Sequence, residues 1–178
     1  GKMYGARANA ANFSMEELTW VMEYCRKYGV KVYVTVNTLI FDDEFEELFA
    51  YVDQLVDLHV DALILQDTGV AVALRQRYPD LPLHASTQMH LHNVKQVEWA
   101  KSLGFTRVVA ARETPLHIVK AMANTGMEIE TFVHGALCVS YSGQCLMSSV
   151  IGGRSGNRGE CAQPCRLPYT LVEEKQGK

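Results

Sequence analysis

No stretch of this chain holds the ~18 consecutive apolar residues that a membrane span requires, and its first residues lack the basic-then-apolar pattern of a secretory signal. Both absences lead us to expect a cytoplasmic protein with no membrane contact. Charge of one sign is also scarce. The net charge of −3 over 178 residues gives no overall basic field for nucleic acid, although Arg154, Arg158 and Arg166 form a local basic patch. No glycine-rich phosphate fingerprint follows any expected strand, which weighs against dinucleotide binding. The chain has no His-Glu-x-x-His helix, and no serine or cysteine has a convincing base beside it, so the usual protease machineries are missing. Five cysteines, an odd number, argue against a fully paired disulfide framework. In a reducing compartment a cysteine cluster more often binds metal or does chemistry.

What is present is a repeating strand–helix rhythm, and a hydrophobic content of 48%, enough for one sizeable core. Ser14 and Glu17 form a capping box ahead of the apolar stripe Leu18, Val21, Met22 and Cys25, and Gly29 supplies the stop. Cys25, on that stripe, is expected in the core. Strands are expected at Lys31–Asn37, Ala62–Leu65, Leu83–Ser86, Arg107–Ala111 and Ile129–His134. Between them helices are expected over Asp42–Leu58, Thr68–Tyr78 and Asn93–Leu103, with a further one capped by Thr114 and opened by Pro115. Tyr169–Glu174 reads as a sixth strand. Such alternation implies parallel strands and right-handed crossovers. Polar residues gather just past the strand ends, at Asn37, Gln66, Asp67, Gln88, Arg112, Glu113 and His134, where a barrel keeps its active-site rim. The fold expected is therefore α/β, a partial (β/α)8 TIM-like barrel with a cysteine-rich, glycine-rich loop after the fifth visible strand.

That loop carries Cys138-x6-Cys145 and Cys161-x3-Cys165. Four thiolates make a closed set for zinc or the corners of an iron–sulfur cluster. The six-residue gap fits zinc poorly and favours a 4Fe–4S cluster, with zinc as the alternative. His134 suits proton transfer, while Arg112 and Glu113 suit an anionic substrate or an ordinary ion pair. His84, His90 and His92 flank the Ser86-Thr87-Gln88 turn, yet His90 and His92 lack the spacing of helical ligand pairs and read as surface histidines.

Several segments together resemble one family. Glu130-Thr131-Phe132-Val133-His134-Gly135-Ala136-Leu137-Cys138, Ser140-Tyr141-Ser142-Gly143-Gln144-Cys145 and Asn157-Arg158-Gly159-Glu160-Cys161-Ala162-Gln163-Pro164-Cys165-Arg166 are similar to the signature of peptidase family U32, the collagenase-like proteases. So are Val36-Asn37-Thr38, Ser86-Thr87-Gln88 and Ala111-Arg112-Glu113. The resemblance is nearest in look to members implicated in tRNA hydroxylation. It implies a TIM-like barrel followed by a smaller domain, and in several members a 4Fe–4S cluster on four cysteines, with prephenate linked to oxygen-independent hydroxylation. Carried over, Cys138, Cys145, Cys161 and Cys165 would hold the cluster. Arg158, Arg166, Gln88 and Asn37 would bind RNA or a small anionic hydroxyl donor, and His134, Arg112 and Glu113 would line the catalytic pocket. A collagenase-like, metal-dependent endopeptidase and an RNA-docking module with a structural metal are the alternatives. Against the family pattern, residues 1–178 look like a single-domain fragment lacking the first βα unit, the remaining barrel and the C-terminal domain. Open strand edges covered by a second copy are then expected.

Overall fold

The structure, a computed structural model, describes residues 3–7 and 10–171. Five parallel strands, β1 (Tyr33–Val36), β2 (Ala62–Leu65), β3 (Leu83–Ala85), β4 (Arg107–Val109) and β5 (Glu128–Glu130), lie side by side in sequence order. Helices alternate with them: α1 (Met15–Lys27), α2 (Phe45–Asp57), α3 (Thr68–Arg77), α4 (Val94–Ser102) and α5 (Leu116–Ala123), with α6 (Met147–Gly152) in the long loop after β5. Sequential order decides between the two α/β architectures. A doubly wound sheet must reverse its order, whereas right-handed crossovers between successive neighbours keep every helix on one face and curl the sheet as a barrel does.

Local chemistry explains the element ends. Ser14 Oγ accepts the Glu17 N–H and Glu17 Oε2 accepts the Ser14 N–H, so the expected capping box is formed. Asp67 caps α3 through the Val70 N–H at 3.1 Å, and Asn93 caps α4 through Gln96. One cap differs from expectation. Pro115, not Thr114, is the N-cap of α5, and its carbonyl receives the N–H groups of Ile118 and Val119. Four strands are shorter than expected, β3 by Ser86 alone. β1 lacks Lys31, Val32 and Asn37, β4 stops at Val109, and β5 ends at Glu130, so Thr131–His134 belong to the loop. No strand forms over Tyr169–Leu171, and the rest of that expected strand lies outside the described residues. Among the described residues no helix is long and apolar enough to cross a membrane.

The two faces of the sheet differ in kind. On the helix side, Val34 and Val36 pair in register with Leu63 and Leu65, which pair in turn with Leu83 and Ala85. None of these is more than 6% exposed, and each fully buried leucine side chain contributes about 1.5–3 kcal/mol. Cys25 is only partly buried on α1. The opposite face carries Tyr33, Ala62, His84, Arg107 and Glu128. Small Ala62 leaves room for the Tyr33 ring to meet the His84 ring edge-on at 4.7 Å, while the Arg107 guanidinium lies 5.1 Å over Tyr33 and pairs with Glu128 and Glu130.

His84, 4% exposed, lies inside the β3 strand and does not flank the turn beyond it. Burial, then the nearby Arg107 charge, lowers its pKa from 6.5 to about 4. The folded chain thus keeps His84 neutral where the unfolded chain already takes up a proton. Stability carried by the neutral ring is complete above the unfolded value and is lost as pH falls from about 6.5 towards 4. Urea unfolding should lose at most about 3 kcal/mol across that window through this group. His84→Gln should flatten that part of the pH profile, and an unchanged slope in the variant would exclude His84 as its source.

Candidate site at the C-terminal rim

The strand ends meet in a connected set of hydrogen bonds. Asn37, 8% exposed, accepts the Ala6 N–H at 2.8 Å and donates to Ser86 Oγ at 3.1 Å; Ser86 Oγ also accepts the Gln88 N–H. Asn37 therefore ties the N-terminal segment and the β1 and β3 ends together. Next along the rim, Arg112 and Glu113 follow β4, and against them lies the loop that carries the first two cysteines.

Ser142 fastens that loop. It is fully buried at 0% exposure. Its hydroxyl donates to Glu113 Oε2 at 2.9 Å and accepts from the Arg112 backbone N–H at 3.2 Å and from Arg112 Nε at 3.3 Å. Its own N–H donates to Glu113 Oε1 at 3.0 Å. The neighbour, Gly143, sits at φ +72°, and a Cβ there would lie 1.9 Å from the Gln88 carbonyl oxygen. Only glycine permits that approach. Burial would raise the Glu113 pKa, but the Ser142 N–H, the Glu113 amide, the Ser142 hydroxyl and His90 outweigh it and lower it. Both carboxylate oxygens are engaged, so Glu113 is an ionised anchor in this arrangement.

The second cysteine pair has its own fastenings. Buried Ser148 on α6 accepts the Ala162 N–H through Oγ at 2.9 Å, beside Cys161. Leu39 N–H donates to the Asn157 carbonyl at 3.0 Å, and Arg158 grips Glu44 through Nη1 and Nη2 at 2.8 and 2.5 Å and the Leu39 carbonyl at 2.9 Å. The Arg158 hydrogen bond holds the Glu44 pKa down at about 2. Arg158, expected at a substrate, is turned inward and latches the loop to the rim after β1. Arg166 reaches back from its Nη2 to the Leu137 carbonyl at 3.1 Å and joins the two cysteine segments.

All five cysteines are free. Cys138, Cys161 and Cys165 line one cleft of about 490 Å³ together with Gln88, Arg112 and Arg166. Cys145 adjoins Cys161, since a Cβ on Gly156 would meet Cys161 Cβ at 3.7 Å and the Cys145 carbonyl oxygen at 3.9 Å. Among the described residues no three His, Cys, Asp or Glu side chains are gathered closely enough to hold a metal ion. The donor set nonetheless fits an iron–sulfur cluster in number and softness, with four free thiols on one glycine-rich loop. Loading would require the thiols to draw in. A second cleft of about 600 Å³ runs along Arg112, Glu113, Cys138, Ser140 and Tyr141.

His134 lies exposed in the loop, without a hydrogen-bond partner among the described residues. His90, expected as a surface residue, is instead partly enclosed. Its Nδ1 is sealed 3.0 Å from Glu113 Oε1, at ion-pair distance but off hydrogen-bond alignment, and its ring meets Tyr141 edge-on at 5.8 Å. Sequence spacing carries no sign of this pairing, because its partners sit on different βα units. Ser142, Gly143 and Ser148 are likewise visible in the sequence only as parts of a motif. The Ser142, Glu113 and His90 grouping is no hydrolytic triad, because the hydroxyl is buried and donates to the carboxylate, not to an imidazole that would take its proton.

Removing the Ser142 hydroxyl leaves the Arg112 N–H and Glu113 Oε2 short of a partner, at about 1–3 kcal/mol. Ser142→Ala should raise the rate at which a thiol reagent modifies the partly buried Cys145, and Gly143→Ala should raise it more, both well before global unfolding. Labelling rates equal to the parent's would show that the clamp does not hold the loop.

A U32 peptidase of solved structure superposes with a TM-score of 0.62 at 17% identity, over 73% of this chain and 56% of that one, and so supports the fold. A 23S rRNA 5-hydroxycytidine synthase of Escherichia coli is 44% identical over 176 residues, covering 98% of this chain and 26% of the relative. The tRNA hydroxylation protein P1 of Bacillus subtilis is 40% identical over 174 residues, covering 97% and 41%. A protein named Collagenase from Porphyromonas gingivalis is 33% identical over 181 residues, covering 95% and 43%. The chain thus spans between 26% and 43% of the length of these three relatives. The model of peptidase family U32 matches residues 1–178, and the chain belongs to that family.

Proposed function

We propose that this chain forms the cysteine-bearing part of a cytoplasmic RNA hydroxylase that works without molecular oxygen, acting on a tRNA uridine and using a 4Fe–4S cluster on Cys138, Cys145, Cys161 and Cys165. One observation carries the reading. Four free thiols stand on a loop fastened over the C-terminal rim of a parallel sheet, and three of them line a cleft with arginine and glutamine side chains and, among the described residues, no carboxylate. The names of the relatives supply the reaction class, and the rRNA synthase among them makes a cytidine the competing substrate.

The cluster, when bound, supplies one-electron transfer at the cleft. The chain's own residues orient and exclude. Ser142 and Ser148 hold the two cysteine segments against the rim, Arg112 is fixed through its Nε with its terminal nitrogens toward the clefts, and Gln88 offers an amide for a base edge. His134, in the exposed loop, is available for proton transfer. Prephenate fits as the anionic hydroxyl donor, and the open edges of β1 and β5 permit self-association. The peptidase reading needs an activated nucleophile or an open water-bearing metal, and the rim supplies neither among its described groups.

Nucleoside mass spectrometry of RNA from a strain lacking the gene should show loss of a hydroxylated uridine in tRNA. Loss of hydroxylated cytidine in ribosomal RNA would move the substrate, and unchanged levels of both would remove the proposal. Anaerobically purified full-length protein should absorb near about 400 nm with iron and sulfide in equal amounts. Cys138→Ser and Cys161→Ser should each abolish the band. Stoichiometric zinc without the band would replace the cluster by a structural metal.

A further inference from the structure

We propose that Arg7, Arg112 and Arg166 form an oxyanion cradle beside the thiols, and that its occupant is a backbone phosphate of the RNA strand presented to the site. The inference rests on the RNA reading above; to Arg112 and Arg166, which the sequence already singles out, it adds Arg7, and it leaves Arg158 out.

The arginines of this chain differ in their partners, and Arg26, Arg75 and Arg154 bond backbone carbonyls outside the thiol cleft. Arg77, Arg107 and Arg158 each pair with a carboxylate at 2.5–3.2 Å. Among the described residues Arg7, Arg112 and Arg166 make no ion pair, and all three line the 490 Å³ cleft that holds Cys138, Cys161 and Cys165. Among the described residues no Asp or Glu lines that cleft. Three cations line one concavity, and the donors left over on them suit an oxyanion ligand. The guanidinium fork suits phosphate and carboxylate geometry.

Arg112 and Arg166 are each held by an uncharged partner that leaves donors over. Arg112 uses Nε on Ser142 Oγ, and Arg166 uses one Nη on the Leu137 carbonyl. Arg7 follows Ala6, whose N–H is fixed on Asn37, and its side chain is exposed. The three come from separate segments: the N-terminal stretch, the β4 end and the far end of the cysteine loop. Guanidinium donors from three separate segments lining one cleft suit a phosphate, which can accept more than one fork at once. The volume falls within the roughly 300–1,000 Å³ range of small-ligand sites, enough for a nucleotide drawn out of its strand.

The test uses full-length, anaerobically loaded protein and a fluorescently labelled stem-loop RNA, with binding followed by anisotropy across a salt series. Every phosphate that an arginine no longer neutralises lowers the slope of log Kobs against log salt by about 0.7–0.9. Arg7→Gln, which breaks no side-chain bond among the described residues, and Arg166→Gln should each show that drop. Arg7→Lys should restore the slope, and Arg77→Gln, on a distant surface pair, should leave it at the parent value. Parent-like slopes in both Arg7→Gln and Arg166→Gln overturn the phosphate assignment. The second arm measures thermal shifts with inorganic phosphate and with citrate. If the parent binds no RNA yet is stabilised by these anions, and the glutamine variants are not, the cradle stands and the RNA reading fails. If neither RNA nor anion binding responds to the substitutions, the cradle itself is overturned.

Discussion

Without the hydroxyl of Ser142, little would press the first two cysteines against the sheet. The loop from Thr131 to Leu146 contains no regular element, and most of its apolar side chains, Val133, Leu137 and Val139 among them, face solvent. Hydrophobic burial therefore cannot position it. A buried polar knot does so instead, with one serine bonding Glu113 twice and Arg112 twice. Such a knot is stabilising only when every member is satisfied, because each unpaired buried group costs about 1–3 kcal/mol. Gly143 adds a steric condition, since its backbone rests against the Gln88 carbonyl where no side chain fits. Cys138 and Cys145 flank this knot and inherit their positions from it.

The barrel-like half of the chain is legible in the sequence because its signals are local. The Ser14–Glu17 box, the Asp67 and Asn93 caps and the alternation of apolar stripes with β-branched runs all act within a few residues. The errors fall where distant groups decide. Ile129–His134 looks like a strand, yet pairing stops at Glu130, and the apolar residues beyond it stay exposed. Pro115 displaces Thr114 as the N-cap because its own carbonyl starts the helical ladder. Arg158 stands among the cysteines, and nothing in its neighbours reveals that Glu44, 114 residues earlier, claims it. His90 resembles a surface residue because its partner, Glu113, arrives from another βα unit.

The sheet divides labour between its faces. One buries aliphatic side chains under the helices and carries the stability. The other sets Tyr33, His84 and Arg107 in a polar layer at the strand starts, away from the rim where the thiols stand. The aliphatic packing thus lies on one face of the sheet, and the thiols stand at the C-terminal ends of its strands, where barrel enzymes keep their active sites.

The latch between Arg158 and the Leu39 carbonyl closes a span of 119 residues, whereas the Tyr33 and Ala62 pairing spans only 29. The longer closure costs about 1 kcal/mol more in chain entropy. A chain synthesised from its N-terminus has completed the rim after β1 long before Arg158 emerges, so the order of assembly is written into this contact. The strand–helix units pair early, and the thiol-bearing segment is the last piece to settle. Until that moment the cysteines are untethered, and afterwards their loop is held by a lock that the earliest-made part of the protein had waiting.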